Sequence, residues 1–108
     1  MIRDITDPDI VEITVEGKSL LVRLSSRIYM EEVAQLRMIL IERIEKGDKN
    51  LIIDFGRTDY IDSFGLGVFV DLRKMAMKNG GGVVIKGLHG AVKKLFDLTR
   101  LTKVFEIQ

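Results

Sequence analysis

The spacing of apolar residues at the start of the chain is typical of β-strands. From Val11 to Glu16 apolar and polar residues alternate, which is the two-residue period of a half-exposed strand. Gly17-Lys18 interrupts this pattern, and the more continuously apolar segment Ser19 to Leu24 follows. Two strands joined by so short a turn predict a β-hairpin.

The period changes to that of a helix between Met30 and Lys46. Apolar residues recur there at intervals of three or four, at Val33, Leu36, Leu40 and Ile44. Gly47 follows, at the position where glycine commonly ends a helix. The next segment, Leu51 to Phe55, is apolar except for Asp54, and we expect a strand that is covered on both faces.

The second half of the chain repeats this alternation of strand and helix. After a loop at 56–60, a second helix is predicted as far as Asn79, where three glycines end it. Its apolar stripe contains Leu66, Phe69, Leu72 and Ala76. A buried strand is predicted at Val83 to Ile85, a third helix at Ala91 to Leu98, and a last strand at Val104 to Ile107. The expected core contacts of the third helix are Val92, Leu95, Phe96 and Leu98.

The order of these elements predicts the fold class. Two consecutive strand–helix–strand units require right-handed crossovers, which give a parallel sheet, and the opening hairpin makes the sheet mixed. We therefore expect one α/β domain over residues 1–108. Its mixed, mainly parallel sheet has four to five strands, begins with an N-terminal hairpin and is flanked by helices.

Composition and charge exclude several classes of function. The chain has 17 basic and 16 acidic residues and a net charge of +1, so it lacks the basic excess of a nucleic-acid-binding protein. Without cysteine, and with a single histidine, it offers no usual zinc site, and we expect neither a metal nor a cofactor. It contains no apolar run of about 20 residues and no signal peptide, so we expect a cytoplasmic protein that does not bind membranes and is monomeric when free.

The segment from Asp54 to Gly67 concentrates the polar residues at a strand end and a helix start, where functional groups of α/β proteins gather. Asp62 or Ser63 could cap the helix. Gly65 and Gly67 each disfavour a helix by about 1 kcal/mol relative to alanine. Their presence in the first turns of a helix therefore needs another explanation. Two interpretations are open: the serine is a plain cap beside packing glycines, or it is exposed on a bare surface and can be modified.

An enzymatic role is not expected. The only histidine that could activate Ser63 is His89, and no spacing connects the two into a catalytic triad. Three acids are candidates for a magnesium site or for the phosphoacceptor of a receiver domain: Asp54, Asp59 and Asp62. A receiver domain also needs an acidic pair after its first strand, and Glu16-Gly17-Lys18 does not supply one.

Two motifs resemble a known family. Asp62-Ser63-Phe64-Gly65-Leu66-Gly67 resembles the Asp-Ser-Ser-Gly-Leu-Gly signature of bacterial anti-sigma factor antagonists, which are STAS domains. Asp54, eight residues upstream, fits this likeness, and Ala91 to Leu98 is similar to the segment after the family's fourth strand. The resemblance extends in order and spacing over nearly the whole chain.

The resemblance implies a binding switch that is not an enzyme. Such proteins bind an anti-sigma factor, often itself a serine kinase, and thereby release a sigma factor for transcription. The kinase phosphorylates the serine that matches Ser63, which abolishes binding, and a phosphatase restores it. The partner surface expected on this basis comprises Tyr29, Asp59, Asp62, Ser63, Phe64, Gly65 and Gly67.

This chain differs from the family pattern at two places. Phe64 replaces the second serine of the signature, and Ser26-Arg27-Ile28-Tyr29 replaces the Gly-x-Leu-Asp that often precedes the first helix. A second function therefore stays open. The chain could be a STAS scaffold that is not phosphorylated, or a subunit associated with a lipid or anion transporter.

Overall fold

Strands and helices alternate along the chain much as the sequence predicts. A computed structural model describes residues 11–108, so residues 1–10 of the expected domain lie outside the described part. The strands are β1 (Val11–Glu16), β2 (Ser19–Leu24), β3 (Arg27–Ile28), β4 (Asn50–Asp54), β5 (Tyr60–Ile61), β6 (Gly82–Lys86) and β7 (Glu106–Ile107). The helices are α1 (Met30–Glu45), α2 (Ser63–Lys78) and α3 (Gly90–Leu98), followed by a 3₁₀ turn at Leu101–Lys103.

Five of the strands form one mixed sheet in the order β1-β2-β4-β6-β7. The hairpin β1–β2 is antiparallel, and the three other pairs are parallel. Gly17 adopts a φ of 63° in the hairpin turn, a conformation that glycine tolerates without strain. The predicted α/β fold, with its hairpin and mainly parallel sheet, is confirmed.

The register of the sheet places the buried residues of neighbouring strands side by side on one face. These residues are Ile13, Leu20, Val22, Leu24, Leu51, Ile53, Val83 and Ile85. On the other face of the sheet Leu21 is buried, but its neighbours in register, Ile52 and Val84, are only half-buried. The expectation that β4 is covered on both faces was therefore wrong, because the buried residues of the helices join the single core on the first face.

The helices cover that face with the stripes that the sequence predicts. Every apolar residue predicted to line α1 or α2 is buried. Phe55, just after β4, contacts the rings of Phe69 in α2 and Phe96 in α3 edge-on, with centroids 5.5 and 5.4 Å away. This aromatic cluster fixes both helices against the end of β4, which is the edge of the sheet that leads to Ser63.

One predicted core contact of α3 is wrong. Val92 and Phe96 are buried and Leu95 is half-buried, but 82% of the surface of Leu98 is exposed. Leu98 follows Phe96 by two positions, and at 3.6 residues per turn it lies on the opposite side of the helix. Lys93 and Lys94 are exposed, as expected.

A second, two-stranded sheet was not predicted from the sequence. In this sheet β3 and β5 pair in parallel, with Arg27 opposite Tyr60 and Ile28 opposite Ile61. The two isoleucines are buried, whereas Arg27 and Tyr60 are exposed. Strands of two residues are too short to show a period, so the pattern gave no signal. The pair holds the segment before α1 beside the segment before α2.

Candidate partner-binding site

The loop that leads from β4 to α2 is fixed at its start by Asp54. The Oδ1 atom of Asp54 accepts a hydrogen bond of 2.8 Å from the backbone N–H of Gly56, and its Oδ2 lies 3.5 Å from Nε of Arg23. Gly87, with a φ of 78°, packs so closely that an added Cβ would lie 2.6 Å from the nitrogen of Gly56. Asp54 therefore orders the loop and does not point freely into a site.

The middle of the loop is tied to the segment before β3. Thr58, whose side chain is buried, donates its hydroxyl hydrogen to the carbonyl oxygen of Ser25 over 2.8 Å. The backbone N–H of Asp59 donates to the carbonyl oxygen of Ser26 over 2.7 Å. These bonds hold Asp59 and the following Tyr60 at the surface, where both side chains are exposed.

At the start of α2, Asp62 and Ser63 have different roles. Asp62 is the N-cap, and its Oδ1 accepts a hydrogen bond of 2.9 Å from the backbone N–H of Gly65. Ser63 is the first residue of the helix and is exposed, and within residues 11–108 its hydroxyl makes no hydrogen bond. The interpretation of Ser63 as a plain cap is therefore wrong.

The two glycines of the first helical turns are in different surroundings. Gly65 is buried, and an added Cβ would lie only 2.7 Å from Cγ1 of Ile61 and 3.4 Å from Cγ2 of Val33. Gly67 is exposed, and an added Cβ would meet no atom within 4 Å. Gly65 thus allows α2 to pack closely on β5 and α1, whereas Gly67 leaves open space at the surface.

A groove of about 790 Å³ runs between α1 and α2 beside Ser63, and we call it the helical groove. Its lining includes Ala34, Arg37 and Met38 from α1 and Ser63, Phe64 and Gly67 from α2. Phe64 is 42% exposed and Met38 is 73% exposed, so two large apolar side chains border the serine. Phe64 is therefore exposed, as the sequence predicts.

Next to this region the exposed rings of Tyr29 and Tyr60 contact each other in a tilted arrangement. Their ring centroids are 5.4 Å apart, with 41° between the ring planes. Nη1 of Arg27 donates a hydrogen bond of 3.3 Å to the hydroxyl of Tyr29, and this bond raises the pKa of the Arg27 guanidinium above its ordinary value. The surface beside Tyr29 therefore carries a permanent positive charge, which Arg27 supplies.

The structure also places the residues that were considered for catalysis or for a metal ion. His89 is exposed at the start of α3. In the part of the chain that the structure describes, no three His, Cys, Asp or Glu side chains come together in a way that could hold a metal ion. Asp54 and Asp62, two of the three acids considered for magnesium, each accept a backbone hydrogen bond. Among residues 11–108, no helix is long and apolar enough to cross a membrane.

Sequence reasoning missed the contribution of α1 to the site. Ala34 and Met38 are spaced by four residues and lie off the buried stripe of α1, so they share a second side of that helix. An exposed methionine on the polar side of an amphipathic helix was the signal that could have revealed it. Arg27 was also missed, because its neighbour Tyr60 is distant in sequence.

The comparison with known families identifies the chain. A family model described as the STAS domain matches residues 10–108. The chain belongs to the STAS domain family. This STAS domain is 32% identical over 97 residues to the anti-sigma-B factor antagonist of Bacillus subtilis strain 168, an alignment that covers 90% of this chain and 88% of the relative.

Solved structures show the same fold. The anti-sigma factor antagonist SpoIIAA in its unphosphorylated form superimposes with a TM-score of 0.82 at 19% identity, covering 91% of this STAS domain and 87% of that chain. Phosphorylated SpoIIAA from Bacillus gives a TM-score of 0.75 at 19% identity, with 91% and 90% covered. At this level of identity the structures establish the fold, and the resemblance found in the sequence is confirmed by the family match.

Proposed function

We propose that this STAS domain is an anti-sigma factor antagonist whose binding is switched off by phosphorylation of Ser63. The observation that carries the proposal is the position of Ser63: its exposed hydroxyl makes no hydrogen bond within residues 11–108 and borders the helical groove. The domain acts as a ligand of the anti-sigma factor and as a substrate of its kinase, and it catalyses no reaction itself. Its place of action is the cytoplasm, with the transcription machinery.

The relatives support this proposal. The Bacillus subtilis relative is named an anti-sigma-B factor antagonist, and SpoIIAA is known in both an unphosphorylated and a phosphorylated form. The partner of this chain is, on this basis, an anti-sigma factor with serine kinase activity. That kinase transfers the γ-phosphoryl group of ATP to Oγ of Ser63 and releases ADP, and a phosphatase hydrolyses the phosphate ester.

Charge explains how one phosphate could prevent binding. A phosphoserine carries about −1.5 to −2 charges at neutral pH. On Ser63 this charge would lie next to Asp62 in the chain and close to the Asp59 loop, and a partner that covers the helical groove would have to remove its water. Like charges brought together at an interface cost several kcal/mol, so the phosphorylated domain should be released.

The proposal is tested by identifying the partner and then the modified atom. A pull-down with the wild-type domain from the source cell should recover an anti-sigma factor. The purified partner and ATP should then add one phosphate, which mass spectrometry should locate on Ser63. Ser63→Ala should abolish the modification. Ser26→Ala, which changes another exposed serine beside the same loop, should leave it intact.

The opposite outcome would favour the second function. Recovery of transporter subunits, together with no phosphate on Ser63, would contradict the switch and indicate a scaffold. The replacement of the family's usual residues by Phe64 and Tyr29 makes this outcome a real alternative to be measured.

A further inference from the structure

A second groove lies between β5 and α3, and we call it the α3 groove. It has a volume of about 260 Å³, and its apolar lining includes Tyr60, Leu95 and Leu98. Leu98 is 82% exposed, more than any other large apolar side chain described. A single exposed leucine is ordinary on a protein surface, but here it forms one wall of an apolar groove.

Charges of both signs accompany this groove. Its lining contains Asp59 and Lys94, which are both exposed. Lys94 forms no ion pair within residues 11–108, whereas Asp59 lies near enough to Arg27 to help raise the pKa of the Arg27 guanidinium. On the same helix, Lys93 and Asp97 pair with each other over 2.9 Å, so their charges are already matched. An apolar groove beside the unmatched base Lys94 is complementary to a segment with one apolar residue and an acidic neighbour.

The α3 groove and the surface around Ser63 are formed by adjacent positions of one stretch of chain. Residues 59–61 contribute to the α3 groove, and Ser63 and Phe64 contribute to the helical groove. Tyr60 also contacts the ring of Tyr29, which precedes α1 directly. A six-residue stretch, 59–64, therefore supplies both grooves, and one partner that covers Ser63 can reach the two of them together.

We propose that the α3 groove is a second docking site for the same anti-sigma factor. The partner inserts one large apolar side chain against Leu98 and Leu95 and directs an acidic neighbour toward Lys94. The identity of the partner rests on the function proposed above. Because the α3 groove does not contain Ser63, its contribution persists after phosphorylation and leaves a residual affinity.

The test uses the purified anti-sigma factor recovered by the pull-down as the probe. Leu98→Ala should weaken binding about tenfold, because it removes most of the side chain that forms one wall of the groove. Leu98→Lys should weaken binding further, because it places a charge against the apolar side chain of the partner. Met77→Ala and Met77→Lys are matched controls. Met77 is an exposed apolar residue in the last turn of α2 and lies outside both grooves, so these variants should bind like wild type.

Two further measurements make the outcomes distinct. In the double variant Ser63→Asp with Leu98→Ala, the two fold-losses should multiply, because the residues lie in separate grooves. Wild-type affinity in both Leu98 variants, with unchanged unfolding, would overturn the docking site and leave the phosphorylation switch intact. If the Leu98 variants bind the anti-sigma factor more weakly while Ser63→Asp binds it like wild type, the result would contradict the switch and support the docking site.

Self-association is the competing explanation for an exposed leucine. Sedimentation of the free domain should show a monomer for wild type and for Leu98→Lys alike. A wild-type dimer that Leu98→Lys dissociates would assign the α3 groove to a second copy of this chain and would overturn the proposal.

Discussion

Asp62 and Ser63 are adjacent polar residues, but the fold uses the side chain of only one of them. The carboxylate of Asp62 caps α2 through Gly65, whereas the hydroxyl of Ser63 has no such task within residues 11–108. A residue that contributes little to the fold can be modified with little loss of stability. This separation would allow the switch that we propose at Ser63 to act on binding alone.

The two glycines provide the first prediction. Gly65→Ala should destabilise the domain by about 1–3 kcal/mol, because the new methyl group overlaps the side chain of Ile61. Gly67→Ala should stabilise it by about 0.5–1 kcal/mol, because the methyl group has free space and alanine favours a helix. Urea unfolding of both variants checks these signs.

Gly67→Ala should also lower the affinity for the partner. Gly67 lines the helical groove, and the methyl group of the new alanine would occupy part of that groove. A variant that is more stable but binds less tightly would explain why a poor helix former stands at this position. Unchanged affinity would remove Gly67 from the partner surface.

Phe64 provides the second prediction. Phe64→Ala should reduce affinity by about 2 kcal/mol, as expected for an exposed aromatic residue at the centre of an interface, and should change stability little. Phe69→Ala, which removes a fully buried ring five residues later, should instead lose about 3–5 kcal/mol of stability. Calorimetric binding and thermal unfolding distinguish the two effects. A large stability loss for Phe64→Ala with unchanged affinity would refute its role at the interface.

Among the elements, the loop from β4 to α2 depends on the hydrogen bond of Thr58. Thr58→Val should lower the free energy of unfolding by about 1–3 kcal/mol, because the carbonyl oxygen of Ser25 loses its hydrogen-bond partner in a half-buried region. Thr58→Ser keeps the hydroxyl group and should therefore lose clearly less stability than Thr58→Val. Hydrogen exchange should show faster opening of β3 and β5 in Thr58→Val, and equal stability of the two variants would contradict this role.

The long elements could be predicted from sequence because each shows several repeats of its period. The stripe of α1 and the hairpin are examples. The pair β3–β5 could not be predicted, since two residues show no period and the pairing joins segments more than 30 positions apart. Leu98 was misassigned because α3, with nine residues, is too short for its apolar residues to define one stripe.

The sequence drew attention to the residues at the start of α2 but did not distinguish their structural roles. The motif indicated Asp62 and Ser63, yet both are good N-cap residues, and only the hydrogen bond to Gly65 identifies the cap. Likewise, composition cannot tell that Gly65 is buried while Gly67 is open. The helical groove depends on the packing of α1 against α2, so its α1 side was not visible in the sequence.

At the scale of the whole molecule, one stretch of chain, residues 59–64, contributes to both grooves. The cluster around Phe55 holds α2 and α3 on the same end of β4, and β3–β5 brings Tyr29 beside Tyr60. Ser63 lies in the helical groove, and the α3 groove follows along the same stretch of chain. A single charge added at Ser63 can therefore affect a partner that covers both grooves.

The central claim is tested most directly by titration calorimetry of four forms of the domain against the purified anti-sigma factor. Ser63→Ala should bind like wild type. Phosphorylated Ser63 should bind about a thousandfold more weakly, which corresponds to about 4 kcal/mol, and Ser63→Asp should lie between because it carries one charge. Equal affinities of the wild-type, Ser63→Asp and phosphorylated forms would contradict the switch and leave a scaffold that binds regardless of phosphorylation.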